Sequence, residues 1–375
     1  MGASLSSPRL RVHDTTLVQP SPSPPETSLP LDFFDIFWLH SPPVERLFFY
    51  RLAPDADVAT IVSNLKGSLH HAVSAFYPLA GHLRLSPGTS GRYELYYRPG
   101  DAVTFNVDID GLTTDDPGSS ADARPLPPVI DRALLPDPRG LYDIISQAAP
   151  GTGDLEFVKM SADQILATFT LSKDDLRRVK DVMADEAATL GVAPPRCSSL
   201  VATFGFVWWC YQRAKESGGG GECPMAHMVF PVDHRSRMEP RLPEEYLGNC
   251  VGPAFAVAPK GELAAAGAGG LFSACAAVAS AIDEAVRGIG TSSMDAWVDR
   301  IMEAAAAGVL SVRGRLAEPA KVDVVSVART GAVAVAESRS RAGGMEVGVS
   351  LQPAGMDRYR KCIADAVAWV HNHQS

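Results

Sequence analysis

No stretch of this 375-residue chain is dense in lysine or arginine, and 34 basic residues against 43 acidic ones leave a formal net charge of −9. Neutralising phosphates needs a basic face, so a nucleic-acid partner is not expected. The six cysteines (Cys197, Cys210, Cys223, Cys250, Cys275, Cys362) include no C-x-x-C pair and have no histidine at finger spacing. That pattern fits reduced thiols in a cytoplasmic protein and no metal site. The N-terminus lacks the apolar core of a signal peptide, and no later run is read as a membrane span. Met1-Gly2 with Ser6 does match the myristoylation pattern, but that pattern is short and common in serine-rich termini. No G-x-S-x-G, Walker loop, G-x-G-x-x-G or H-E-x-x-H occurs.

What is present is a globular composition, 46% hydrophobic and 21% charged, in a chain longer than one core usually supports. An α/β protein of two domains follows. "LRVHDTTLVQP", "VERLFFYRL" and "RYELYYR" read as strands. From Asp57, the residues Ile61, Leu65, Leu69, Val73 and Phe76 recur at helical spacing and predict a helix ended by Pro78 and Gly81. Residues 115–154 are rich in Pro, Gly, Asp and Ser and read as a connection. Beyond it "ILATFTL" is a buried strand, and Ser172 is placed to cap a helix with Leu176, Val179, Met183 and Leu190 on one side. "CSSLVATFGFVWWCYQRAK" is apolar all round, as in a buried helix, and "GGGG" at 218–221 is a loop. "KVDVVSVARTGAVAVAES" reads as two strands joined at Arg329-Thr330-Gly331, and "MEVGVSL" alternates as a strand. The last helix carries Met356, Tyr359, Ile363, Val367 and Val370 on one face. The division is 1–121, a linker at 122–154, and 155–375.

Asp233 and His234, in "PVDHRSRMEPRLPEEYLGNC", are adjacent candidates for an acid/base pair. Neighbours on a strand point to opposite faces, so Asp233 cannot orient that imidazole, and His234 reads as a solvent-facing histidine at a strand end. Asp233, Arg235 and Arg237 recur every second residue and would share one face if the strand continued, giving an Asp–Arg bridge. His70 and His71 fall inside the first helix, where a histidine is more often partly exposed than catalytic.

"LPLDFFDIFWLHSPPVERLFFY", "AFYPLAGHLRLSPG", "CSSLVATFGFVW", "VDHRSRM…LPEEYLGNCVG" and "KVDVVSVARTGAVAVAESRSRAGGMEVGVSL" together resemble the BAHD acyltransferases of plants. The similarity is to the branch that moves malonyl or aromatic acyl groups from coenzyme A onto anthocyanin and phenolic glycosides, and it runs from about Leu10 to Val370. The resemblance implies two chloramphenicol-acetyltransferase-like domains with mixed sheets flanked by helices. It further implies acyl-CoA as co-substrate with no permanently bound cofactor, a phenolic glycoside as acceptor, and a monomer. The family's general base is the histidine of an H-x-x-x-D motif, and a D-F-G-W-G motif closes the far side of the channel. Asp233, Arg235 and Arg237 match the family's D-x-R-x-R element, and Tyr246, Gly248 and Asn249 its Y-F-G-N element. Both shape the pocket, and His234 falls at a variable position.

The chain departs from that pattern at the catalyst. None of its nine histidines is followed four places later by aspartate, so no catalytic residue is assigned. Only Asp115 to Pro125 stand where the resemblance calls for a strand, the H-x-x-x-D loop and its helix, and "GVLSVRGRLAEPAKVDVV" joins helix to strand without D-F-G-W-G. The expectation is an incomplete first domain and an acyltransferase impaired by on the order of 10² to 10⁴ in rate. The alternative is a pseudoenzyme that binds CoA or a glycoside, with Arg213 and Lys215 as phosphate contacts by charge alone. A third reading recruits His40 or His234 as base.

Overall fold

A computed structural model describes residues 12–39, 57–89, 91–108, 137–147, 164–215, 224–239, 241–243, 246–287, 294–306, 333–338 and 341–373. The chain folds into two compact units, each assembled from non-consecutive segments rather than the consecutive stretches read from the sequence. The first comprises 1–32, 48–136 and 243–248, and the second 33–47, 137–242 and 249–375.

In the first unit, β1 (Val12–Val18) pairs antiparallel with β5 (Val103–Asp108), and β2 (Thr27–Pro30), β4 (Tyr93–Tyr97) and β3 (His82–Leu85) form a second sheet in the order β2-β4-β3. Helix α2 (Val58–Ala75) starts where expected, because the Asp57 carboxylate accepts from the Ala59 and Thr60 amides at 3.0 and 3.3 Å. Its apolar stripe is only partly covered. Val73 joins Val18, Ala80 and Tyr97 in a small core, whereas Leu65 on the same stripe is 55% exposed. Leu17, Leu79, Leu83 and Leu85 are also exposed. The expected strand at 44–52 lies outside the described residues.

The second unit holds the large core. A three-stranded sheet runs β6 (Ile165–Leu171), β10 (Met345–Leu351), β9 (Val333–Glu337), and β7 (Met225–Asp233) forms a hairpin with β8 (Val251–Pro259). The mixed sheets expected are represented among the described residues by antiparallel pairs only. The first strand of the expected 321–338 pair, the 218–221 loop and most of the 122–154 connection lie outside the described residues. Within that connection, α3 (Leu141–Gln147) is helical and buries Leu141, Tyr142 and Ile145. Short α1 (Phe33–Trp38) packs on α3.

Helix α4 (Lys173–Leu190) opens with a reciprocal capping box between Ser172 and Asp175 and closes on Gly191 at φ 66°, a conformation that suits glycine. Leu176, Val179 and Met183 point inward as expected, but Leu190 is 54% exposed. The core ends a turn earlier, at Ala187, so the last residue of the stripe has nothing to pack on. Helix α5 (Ser199–Ala214) is buried on all sides from Val201 to Cys210, as its composition requires. It packs against α7 (Ala268–Arg287) and α9 (Pro353–Asn372), with α6 (Lys260–Ala264) alongside. By length and composition α7 could cross a membrane, which corrects the reading that no span is approached; here Leu271, Ala274, Cys275 and Val278 are buried in the core of the unit. On α9 the inward residues are Met356, Tyr359, Ile363 and Val370, with Ala366 fully buried and Val367 half-buried. Helix α8 (Met294–Ala306) contributes the buried Trp297, Val298 and Ile301.

Candidate functional site

The hairpin β7–β8 brings the two ends of the D-x-R-x-R and Y-L-G-N stretch together. Asp233 faces Val251 in register, and Val232 faces Gly252. The strand stops at Asp233, and Arg235–Arg237 form a 3-10 turn. The shared face expected of a continuing strand therefore does not exist. Asp233 instead holds the turn from inside: its Oδ1 accepts from the Arg235 amide at 2.9 Å, its Oδ2 lies 3.7 Å from the Arg235 guanidinium, and Arg237 donates to its backbone carbonyl.

That turn redirects His234. Its side chain is 1% exposed, which overturns the solvent-facing reading. The His234 amide donates to the Cys250 carbonyl at 2.8 Å, and the ring stacks on Phe34 (5.8 Å, 17°) with Trp297 edge-on (5.8 Å, 67°). A Cβ at Gly252 would lie 2.7 Å from Phe34, 2.8 Å from Trp297 and 3.2 Å from His234, so only glycine lets these three rings close. Neither ring nitrogen has a hydrogen-bond partner among the described residues. Burial pushes the imidazole down to about 4, the Arg237 charge adds to this, and Asp233 opposes it. His234 is thus a neutral, enclosed ring.

Asn249 fastens the same hairpin to α1. Its Nδ2 donates to the Phe34 carbonyl at 3.1 Å, its amide donates to Asp35 Oδ1 at 3.1 Å, and its Oδ1 accepts from the Val251 amide at 3.0 Å. Trp38 Nε1 donates to the Val251 carbonyl and Trp297 Nε1 to the Pro253 carbonyl. In the other unit the buried Tyr246 donates from its hydroxyl to Asp32 Oδ2 at 3.1 Å. Gly248 immediately precedes Asn249 and is half-buried. Arg213, in the last turn of α5, lies over the Trp209 ring at 4.6 Å, and Lys215 caps that helix.

Sequence reasoning missed the partners of His234. Phe34 and Trp297 are distant in the chain from the turn, and their only signal is aromatic residues on short amphipathic segments. A cavity of about 260 Å³ within the second unit is lined by Leu200, Phe204, Phe230, Ile282 and Val335, with Asp233 and Arg237 as its charged residues and no histidine among the described residues. In the first unit, a cavity is lined by Lys66 and His70 beside β1. Among the described residues no cluster of side chains could hold a metal ion.

The remaining histidines divide by their carboxylates. His371 Nε2 lies 2.7 Å from Asp175 Oδ1 and its Nδ1 3.6 Å from Asp174 Oδ2, so both ring nitrogens face acids at the start of α4. His82 Nδ1 stands 3.7 Å from Asp101 and His373 Nε2 4.0 Å from Asp185, beyond hydrogen-bond reach. Burial lowers His227, with Lys260 adding to the effect.

Comparison with known proteins fixes the family. Residues 9–96 and 155–312, more than half of the chain, match the model of the Transferase family. The chain belongs to the BAHD acyltransferases. This BAHD chain is 27% identical to phenolic glucoside malonyltransferase 1 of Arabidopsis thaliana over 93% of itself and 96% of that protein. It is 26% identical to the malonyl-coenzyme:anthocyanin 5-O-glucoside-6'''-O-malonyltransferase of Salvia splendens over 94% and 95%. The crystal structure of vinorine synthase has the same fold, with a TM-score of 0.58 at 14% identity, covering 93% of this chain and 96% of that one. The Arabidopsis alignment spans 453 positions, more than the 375 residues here, so many of its positions face no residue of this BAHD chain. The family match itself breaks between residues 96 and 155.

Proposed function

We propose that this chain derives from an acyltransferase that moves a malonyl or aromatic acyl group from acyl-CoA to a hydroxyl of a phenolic or anthocyanin glycoside, and that its own turnover is severely impaired. The observation carrying this is the absence of any histidine followed four places later by aspartate. Attack of a hydroxyl oxygen on a thioester carbonyl needs a group that removes the hydroxyl proton, and that base needs one nitrogen free for the acceptor. His234 has both nitrogens enclosed by aromatic rings and is poorly basic. His371 has both of its nitrogens turned to carboxylates. Recruitment of His234 as a substitute base is therefore disfavoured, and His40 lies outside the described residues.

The substrate class rests on the names of the relatives, which act on phenolic and anthocyanin glucosides. The break in the family match and the unmatched alignment positions support an internal loss in the first half of the chain. The exposed Leu17, Leu65, Leu83 and Leu85 are in keeping with an apolar face that lost its cover there. The test is a steady-state assay of the purified chain with malonyl-CoA or coumaroyl-CoA and an anthocyanin or phenolic glucoside, beside an active relative. The expected rate is at least about 10²-fold below the relative's. Turnover at an ordinary enzyme rate, on the order of 1 to 10³ per second, would refute the proposal.

A further inference from the structure

The connection between β1 and β2, "QPSPSPPE" at 19–26, carries two serines that each precede a proline, Ser21 and Ser23. A residue before proline favours extended backbone, and both serines are exposed. The other Ser-Pro step among the described residues is Ser86-Pro87, where Ser86 is half-buried and both its amide and its carbonyl are hydrogen-bonded within a turn. Both ends of the 19–26 connection are fastened. The Ser21 amide donates to Ser74 Oγ at 3.0 Å, and Ser74 Oγ donates to the His70 carbonyl at 2.8 Å, which ties the connection to the last turns of α2. At the far end Thr27 Oγ1 lies 3.0 Å from the Tyr77 hydroxyl. Between these ties, no hydrogen bond among the described residues holds Ser23.

The connection borders an open groove of about 450 Å³, lined by Leu17, Ser21, Ser23, Lys66 and His70 among others. Lys66 and His70 stand four residues apart on α2 and so share one face of the helix. Lys66 Nζ donates to Thr16 Oγ1 at 3.2 Å, which turns the ammonium toward β1 and leaves two of its three N–H groups for another acceptor. Among the described residues neither Lys66 nor His70 pairs with a carboxylate, and no acid lines the groove. Glu26, the acid nearest Ser23 in the chain, is turned away and accepts from the Tyr96 hydroxyl at 2.7 Å. In a chain of net charge −9 the groove is therefore a local place for an anion. An ammonium and an imidazole beside an exposed serine hydroxyl are suited to receive a phosphate ester.

We propose that Ser23 is the acceptor of a proline-directed protein kinase, and that Lys66 and His70 receive the phosphate and draw the β1–β2 connection onto α2. In the transfer, Ser23 Oγ attacks the γ-phosphorus of ATP held by the kinase. The Oγ–P bond forms, the bond from that phosphorus to the bridging oxygen breaks, ADP leaves, and the hydroxyl proton passes to the catalytic aspartate of the kinase. The ester carries a charge of about −1.5 to −2 at pH 7 and three acceptor oxygens, which match the unused donors of Lys66 and His70. Ser23 is the acceptor rather than Ser21 because a kinase must lift the acceptor backbone into its own cleft, and the Ser21 amide is committed to Ser74. A phosphatase reverses the step with water, releasing inorganic phosphate. The inference does not depend on acyl transfer.

The test incubates the folded full chain with a recombinant cyclin-dependent protein kinase, which selects serine before proline, and Mg-ATP, and maps the peptides by mass spectrometry. The expected product carries one added HPO₃ group on Ser23, and Ser23→Ala should abolish it. By phosphorus NMR the phosphoserine should titrate about 0.5 to 1 unit below its ordinary value of about 6, because neighbouring cations favour the dianion even when solvent screens them. Lys66→Gln should remove most of that displacement and His70→Gln part of it, and high salt should shrink it in the wild type. The His70 ring resonances should move on phosphorylation. Should either variant misfold, the wild-type displacement, its salt dependence and the other variant still decide. No transfer to Ser23, transfer to Ser21 or Ser86 in its place, or a phosphoserine that titrates alike in the wild type and both variants would overturn the proposal.

Discussion

Acid should weaken this protein through His234, and the size of the effect follows from where the ring sits. In the unfolded chain the imidazole takes up a proton near its ordinary 6.5, but in the folded one it does so only at about 4. Between those values the unfolded state holds more protons, so stability falls as the pH drops below about 6.5 and the loss levels off below about 4. Well above pH 6.5 both states are neutral and the effect vanishes. Each unit of difference is worth about 1.4 kcal/mol, so the full loss is roughly 3 kcal/mol, a large share of a typical domain's 5 to 15 kcal/mol. Urea unfolding from about pH 7.5 to about pH 4.5 measures most of it, with His234→Leu as reference. Leucine has about the volume of the ring and leaves nothing unpaired, because neither imidazole nitrogen has a partner among the described residues. The variant should equal or exceed wild type at pH 7.5 and lose less stability on acidification. Other acid-sensitive groups, such as Asp175 with its Ser172 and His371 partners, are common to both proteins and cancel in the difference. A difference that stays flat between pH 7 and 4.5, or an imidazole resonance titrating near 6.5, would refute the reasoning.

Gly252→Ala should destabilise by about 1 to 3 kcal/mol, since the new methyl meets Phe34 and Trp297 inside the ring cluster, and denaturant unfolding followed by Trp fluorescence measures the loss. Asn249→Ala should cost about 1 to 3 kcal/mol by leaving the Phe34 carbonyl and Val251 amide without their side-chain partner; Asn249→Asp, which keeps only the acceptor, should fall between wild type and alanine. Ser172→Ala should cost about 1 kcal/mol by removing the α4 cap, measured as a lower urea midpoint at unchanged slope.

Much of the fold is legible in local pattern because local physics decides it. Asp57 and Ser172 announce helix starts through side-chain oxygens that reach the next amides, and those bonds form whatever surrounds them. The run from Val201 to Cys210, apolar but for Thr203, whose hydroxyl donates back to the Ser199 carbonyl, suits a buried helix. Where a stripe must find cover, pattern is insufficient. Leu65 and Leu190 sit in register with buried neighbours, yet one lies where the small core of its unit does not reach and the other a turn past the end of its core. Periodicity states which residues would face a core. It does not state how far that core extends.

The candidate site shows the same boundary more sharply. Adjacent residues of β7 diverge up to Asp233, where the hairpin register ends. One residue later the 3-10 turn replaces the two-residue period, and His234 swings inward instead of out. What receives it are two rings drawn from residues 34 and 297 and a glycine at 252, positions that no spacing rule connects. A histidine beside an aspartate suggests chemistry only while its nitrogens can reach something. Here the aspartate is committed to the turn, the nitrogens face hydrocarbon, and the residue that looked most like a catalyst in the chain is a structural ring whose charge the fold excludes.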